Sequence, residues 1–314
     1  MLLPILSLLA GFILLMWSAD TFTDNGAKIA RIFNISPLVI GLLIFGFGTS
    51  APEMLVSGLA AYDGHPEMSI GNAFGSNILN IGLVLGVTAI ILPITVEKSV
   101  LKKEWLFLFL STLIVGFLLL DGFLSFTDGL ILISLLTLFL INVFRESKKN
   151  NLTDSDNDSL ENNLQKNDKG RTWLLLIVSL IILVSSARLV VWGGTRLALS
   201  FGVSDLIIGL TVVALGTSLP ELAVSISSAL KKQHQMVIGN IIGSNLFNTL
   251  GVLAIPGLIL PFQIPPEVMS RDFFFMLMFT LLVLILSMRL KISRFGGFIL
   301  LTALAIYLYQ LFWI

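Results

Sequence analysis

GTSAPEMLVS, Gly48–Ser57, and GTSLPELAVS, Gly216–Ser225, are one decapeptide written twice with three changes. Each copy places a proline and a glutamate inside an otherwise apolar run, where a membrane helix wants neither. The surrounding chain is 314 residues long, 56% hydrophobic and 12% charged, with a mean hydropathy of +0.96. Soluble domains carry about 25% charged residues. A bilayer span takes about 20 apolar residues, so the chain has room for roughly ten. Met1–Ala19 lacks a basic start and a small-residue cleavage pattern, so it reads as the first span rather than a signal peptide. There is no cysteine, which excludes disulfides and thiolate chemistry. The formal net charge is zero, so nothing in the bulk charge points to nucleic acid.

Apolar runs divide the chain into an expected all-α membrane protein of ten transmembrane helices. The first five are placed at Leu2–Phe22, Ile35–Ala61, Ser69–Pro93, Trp105–Leu120 and Asp128–Phe144. The second five are placed at Trp173–Ala198, Asp205–Leu230, Met236–Leu260, Phe273–Met288 and Phe295–Phe312. Between them, residues 145–171 are rich in Asn, Asp and Lys, cannot bury apolar surface, and read as a flexible linker. The acidic run Asp154–Asp158 lacks the glycine and terminal glutamate of a calcium loop and reads as solvated. The linker is too short for a folded regulatory calcium domain.

The parts on either side of it, residues 1–144 and 172–314, repeat. Gly26, Ala30, Gly41, Thr49, Glu53, Gly71, Ser76 and Asn80 match Gly194, Ala198, Gly209, Thr217, Glu221, Gly239, Ser244 and Asn248, every pair 168 residues apart. Five helices is an odd number, so the second unit enters the membrane upside down relative to the first. That is an inverted-topology repeat, the plan of many secondary transporters. With the N-terminus outside, only Arg188, Arg196 and Arg271 of the 19 Lys and Arg residues lie outside. The positive-inside rule therefore puts both termini outside and the linker in the cytoplasm of a cell that carries the protein in its plasma membrane.

A carboxylate at mid-bilayer costs about 2.5–3.5 kcal/mol on insertion scales, so Glu53 and Glu221 should face a polar cavity. Pro52 and Pro220 each remove a helical N–H and clash with the carbonyl four residues back, at Gly48 and Gly216. Both motifs are expected to break their helices and free backbone oxygens beside Thr49, Ser50, Thr217 and Ser218. In the next helix of each unit, GNAFGSNILNIG (Gly71–Gly82) and GNIIGSNLFNTLG (Gly239–Gly251) put Ser76 with Asn80, and Ser244 with Asn248, on one face. Gly71 with Gly75, and Gly239 with Gly243, are small-xxx-small pairs that admit a close neighbour. The assembled site offers carboxylates, hydroxyls, amides and carbonyls, with no His or Cys. It suits hard cations rather than zinc or copper. Two carboxylates neutralise one Ca²⁺, and the neutral oxygens suit Na⁺.

These paired motifs resemble the two α-repeats of the sodium/calcium exchangers, within the calcium:cation antiporter superfamily. The resemblance covers nearly the whole chain apart from the linker. It implies ten helices and a Na⁺/Ca²⁺ antiporter that works by alternating access, with no cofactor. It also implies ion ligands at Thr49, Glu53, Ser76, Thr217, Glu221 and Ser244, with carbonyls from Gly46 and Ala214. Helices one and six are expected to slide across the other eight. Potassium-dependent members carry an Asp where this chain has Asn248, which leans the reading away from K⁺ co-transport.

Competing readings are a proton-coupled Ca²⁺ exchanger, with Glu53 and Glu221 carrying protons, a K⁺-dependent exchanger, and an intramembrane hydrolase with paired acids. The expected partners are Ca²⁺, Na⁺ and the bilayer; no obligate protein partner is evident. Asn77 and Asn245 read equally as packing or site residues. Asp20 and Arg188 occupy equivalent positions and read as interfacial charges before gate residues. His65 and His234 read as solvated, and Asp121 and Asp128 as helix caps.

Overall fold

The computed structural model describes residues 2–151, 169–202 and 214–313. The chain runs through helices α1 (Leu2–Ile32), α2 (Pro37–Tyr62), α3 (Pro66–Ile91), α4 (Glu104–Leu118) and α5 (Phe126–Asn151). It continues with α6 (Lys169–Ser200), α7 (Ala214–Thr217 and Leu219–Leu230), α8 (His234–Ile259), α9 (Val268–Ser287) and α10 (Arg294–Trp313). Eight of these, all but α4 and the described part of α7, are long and apolar enough to cross a membrane. They turn large side chains such as Leu9, Ile13, Leu138, Ile181 and Phe298 outward, as lipid-facing helices do. Helix enters both ends of the expected linker: α5 runs on through Arg145 to Asn151, and Lys169–Arg171 open α6. The Asp154–Asp158 run and the predicted start of the seventh helix at Asp205 lie outside the described residues.

The helix ends follow local chemistry. Ser36 caps α2 by accepting from the Val39 N–H at 3.3 Å, with Pro37 in the first turn. Asp128 accepts from the Ser125 N–H at 2.8 Å while the Ser125 hydroxyl accepts from the Asp128 N–H at 3.1 Å, a reciprocal cap on α5. Asp121 accepts from the Phe123 N–H at 3.0 Å and holds the turn before it.

The buried apolar residues form two clusters. The larger draws on α2 to α5 and α7 to α10, around Phe74, Trp105, Leu246 and Phe279, and takes no residue from α1 or α6. The smaller seats α1 and α6 on this body through Leu15, Phe22, Leu176, Leu183 and Ala187, against Phe45, Val224 and Met236. α1 and α6 run antiparallel along each other. A Cβ at Gly193 would meet the Pro4 carbonyl at 2.9 Å, the Ser7 hydroxyl donates to the Leu189 carbonyl at 3.0 Å, and Phe33 lies 6.2 Å from Trp173 at the other end.

Two very short strand pairs tie the two repeats together. β1 (Ile94–Thr95) pairs with β4 (Lys291–Ile292), and β2 (Phe123–Leu124) pairs with β3 (Phe262–Gln263), both antiparallel. The 168-residue shift carries β1 onto β3 and β2 onto β4. It also preserves register: Ile94 opposite Ile292 becomes Phe262 opposite Leu124. Each repeat thus contributes one strand to each pair.

Candidate cation site

The two proline-glutamate motifs do not have the same backbone. Pro220 follows a break: the chain turns at Ser218 between Ala214–Thr217 and Leu219–Leu230, and proline is tolerated in the first turn of the new segment. Pro52 sits inside a continuous helix, Gly46–Tyr62. The expectation that both motifs break their helices therefore holds for the second and fails for the first. In the first, distortion sits one turn earlier, in a π-turn over Ile40–Phe45. A π-turn absorbs an extra residue without ending the helix, and the Gly46 and Gly48 backbones allow the chain to pass Pro52. Matching π-turns follow the second motif of each repeat, at Asn80–Leu85 and Phe247–Val252, and they carry Asn80 and Asn248.

The motifs converge on one buried polar cluster. Glu53 and Glu221 are each 1% exposed, and Thr49, Ser50, Ser218, Ser76, Ser244, Asn80 and Asn248 are buried around them. Among the described residues, none of the four carboxylate oxygens has a hydrogen-bond partner, nor do the Ser50 and Ser218 hydroxyls or either amide atom of Asn80 and Asn248. The carboxylates are near enough for their charges to act on each other, and the Thr49 hydroxyl acts on Glu221. Thr49 donates to the Phe45 carbonyl at 2.9 Å and lies 3.2 Å from the Ser244 hydroxyl, which joins the two repeats directly. Thr217 is part-exposed and lines a cavity of about 390 Å³ with Pro52 and Pro220. Ala214 is the first described residue of the stretch before the break, and Gly216 packs against Val191.

Close helix approach places α8 beside this cluster. A Cβ at Gly239 would meet the Leu38 carbonyl at 2.5 Å, and one at Gly46 would meet the Gly243 Cα at 2.8 Å. The expected close neighbour of Gly239 and Gly243 is therefore α2. Among the described residues nothing comes within 4 Å of a Cβ at Gly71 or Gly75; the repeat mate of the segment that packs on Gly239 falls outside them.

Asn77 and Asn245 both donate through their amide nitrogens, and the Asn77 amide oxygen is buried with no partner among the described residues. Asn77 donates to the Thr249 hydroxyl at 2.8 Å, and Asn245 to the Ile241 carbonyl at 2.7 Å. Two residues that sequence reasoning passed over are better placed. Asn72 donates to the Glu53 carbonyl at 3.2 Å and the Ser57 hydroxyl at 3.1 Å. Asn240 donates to the Glu221 carbonyl at 3.3 Å and the Ser225 hydroxyl at 3.0 Å. Asn72 and Asn240 are themselves a repeat pair, and so are Ser57 and Ser225. Their identity across the repeat was the available signal.

Among the described residues there is no group of three or more His, Cys, Asp or Glu side chains poised to hold a metal. The acidic content of this cluster is two glutamates. The remainder is neutral oxygen and amide, a donor set for hard cations.

A helical membrane protein with two symmetry-related, buried and unpaired carboxylates belongs to the class of cation carriers by its chemistry, and the comparisons agree. The pattern of the family described as "Sodium/calcium exchanger protein" matches residues 3–145 and 171–313, and the chain belongs to that family. It is similar to the putative antiporter CaxA of Alkalimonas amylolytica, with 41% identity over 99% of both chains. It is also similar to the sodium/calcium exchanger MaX1 of Methanosarcina acetivorans, with 29% identity over 98% of both. Among solved structures, the sodium-calcium exchanger NCX_Mj soaked with zero Na⁺ and Ca²⁺ superposes with a TM-score of 0.85, at 36% identity over 99% of both chains.

Proposed function

We propose that this protein is a secondary-active antiporter that exchanges Na⁺ for Ca²⁺ by alternating access and exports Ca²⁺ down the Na⁺ gradient. The observation that carries this reading is the buried pair Glu53 and Glu221, whose charges act on each other and which have no ion-pair partner among the described residues. An ionised carboxylate in an apolar medium is costly unless it is paired, so the pair calls for cations. One Ca²⁺ or more than one Na⁺ can neutralise it, and a state with neither is disfavoured. Exchange follows, because the protein changes face only when the charges are compensated. Thr49, Ser50, Ser76, Asn80, Thr217, Ser218, Ser244 and Asn248, with the Gly46 and Ala214 carbonyls, complete the coordination. Asn72 and Asn240 hold the glutamate backbones in place.

The repeat-related strand pairs, the antiparallel α1 and α6 and the 168-residue match support ten crossings in two inverted repeats of five. In that arrangement both termini lie outside the cell and the linker lies in the cytoplasm. Asn80 and Asn248 are both amides, which supports exchange without K⁺. The decisive experiment dilutes Na⁺-loaded proteoliposomes into Na⁺-free buffer and follows uptake of radiolabelled Ca²⁺, with and without K⁺ and a protonophore. The expected result is uptake that requires internal Na⁺ and ignores both additions. Uptake driven by a pH gradient and indifferent to Na⁺ would replace this reading with proton coupling.

A further inference from the structure

The two charges at equivalent places in α1 and α6, Asp20 and Arg188, are not equivalent in their contacts. Asp20 and Asp24 meet the end of α7. The Lys231 ammonium lies 3.2 Å from an Asp20 carboxylate oxygen and 2.8 Å from one of Asp24, and it donates to the Asp20 carbonyl at 2.8 Å. The Ser227 hydroxyl donates to Asp20 at 2.6 Å. This contact lies on the face from which α5 leads out and α6 returns, because the same end of α1 carries Phe33 to Trp173 and Lys169 at the start of α6. It will be called the linker face.

The 168-residue shift turns Asp20 into Arg188 and carries Asp63 onto Lys231. Both charges reverse, so the mirrored pair is complementary as well. Asp63 caps the end of α2 on the opposite face. There, however, the helices stand apart: the 390 Å³ cavity separates Arg188 and Trp192 of α6 from Val56 of α2, and it reaches Thr217 and Pro220. Arg188 and Asp63 are both exposed, and among the described residues neither has an ion pair. Among the described residues, one face is tied and the other carries a cavity that reaches Thr217 and Pro220.

The packing identifies what can move. α1 and α6 share no residue with the main core and rest on it through their own smaller cluster. They pack on each other along their length, so tilting one moves the other.

We propose that Lys231 with Asp20 and Asp24 is a latch that closes the linker face in the state seen here. Arg188 with Asp63 is its counterpart, which closes the opposite face when the α1–α6 pair has shifted. This rests on the alternating-access reading. The half-exposed Asp20 and Asp24 (63% and 56%) suit the role, since an exposed ion pair contributes little net stability and opens readily, whereas a buried one would hold the protein in one state.

The chain has no cysteine, so a single introduced thiol reports accessibility without background. Val56→Cys, in the cavity wall, is labelled in proteoliposomes with a membrane-impermeant maleimide from the cavity face. Adding Lys231→Gln should slow labelling about threefold as the linker latch loosens, and adding Arg188→Gln to that variant should restore it. Equal labelling in all three would overturn the proposal. As a second measurement, oxidation should cross-link an Arg188→Cys/Asp63→Cys variant with α1–α6 in its other position and reversibly stop transport. No cross-link in a variant that still transports would also overturn it. Labelling reads the position of α6 whichever cation is carried. A labelling shift without Na⁺-driven Ca²⁺ uptake would therefore remove the exchange reading and leave the latch.

Discussion

Gly48–Ser57 and Gly216–Ser225 have nearly the same sequence and different conformations. The first copy is a continuous helix whose Thr49 is fully buried and bonded to Phe45 and Ser244. The second is broken at Ser218, and its Thr217 faces a cavity. Three substitutions among apolar residues do not account for this, because glycine, threonine, serine, proline and glutamate stand at the same places in both. The difference lies in what rests on each copy. α1 packs onto α7 and is held by Lys231 on the linker face, whereas α6 touches α2 at Gly48 through Leu180 and is parted from it by the cavity at Val56. Sequence symmetry with conformational asymmetry is what the proposed alternating-access reading expects of one of its two states.

The comparison can be broken most forcefully at the carboxylates. Glu53→Gln and Glu221→Gln should each lower Na⁺-driven Ca²⁺ uptake by about 100-fold or more, beyond the 10–100-fold typical of groups that only support a ligand. Size-exclusion profiles should stay unchanged, since each variant loses a buried charge and no packing. Wild-type uptake in either would remove these residues from the site. Asn72→Ala and Asn240→Ala should each cost about tenfold in apparent Ca²⁺ affinity, and equally, because each holds one glutamate carbonyl. A large effect in one alone would mean that the two halves of the site are not equivalent.

Stability sharpens the contrast in packing. A methyl at Gly243 runs into the Leu42 backbone. Gly243→Ala should therefore destabilise the protein by about 1–3 kcal/mol, read as a lower melting temperature in detergent. The smallest effect concerns the prolines. If the helix break passes from one motif to the other during transport, Pro52→Ala and Pro220→Ala should slow exchange alike, by about threefold, as the hydrogen bond that proline forbids is regained. If only Pro220→Ala slows it, the asymmetry belongs to the sequence and not to the state.

Much of this was legible in the residues. Hydropathy located most of the helices, the repeat picked out the residues of the buried polar cluster, and the lack of His and Cys in the repeated motifs narrowed the chemistry to be considered. What escaped has identifiable causes. α1 ends at Ile32 rather than Phe22, since helix continues through the polar stretch that ended the apolar run, and within it Asp24 is held by Lys231 from a distant part of the chain, a contact no local pattern reports. The intact helix at Pro52 depends on a π-turn in a run of Ile, Gly, Leu and Phe that reads as ordinary helix. Asp20 read as an interfacial charge because its partner is 211 residues away. Asn72 and Asn240 sat inside a quoted motif, yet a side chain that supports a backbone carbonyl has no signature beyond its repetition.

The two strand pairs, only two residues long on each strand, have a consequence for how such a molecule comes into being. In each pair one strand belongs to the first repeat and the other to the second, and the carboxylates are divided in the same way. A single repeat on its own would therefore present two open backbone edges and one of the two buried glutamates. On the inverted-repeat reading it would associate with a second copy of itself placed upside down, and the whole chain is in effect two such halves on one polypeptide. Cutting the chain between the repeats would remove no strand pair among the described residues; it would lower only the concentration at which the halves meet.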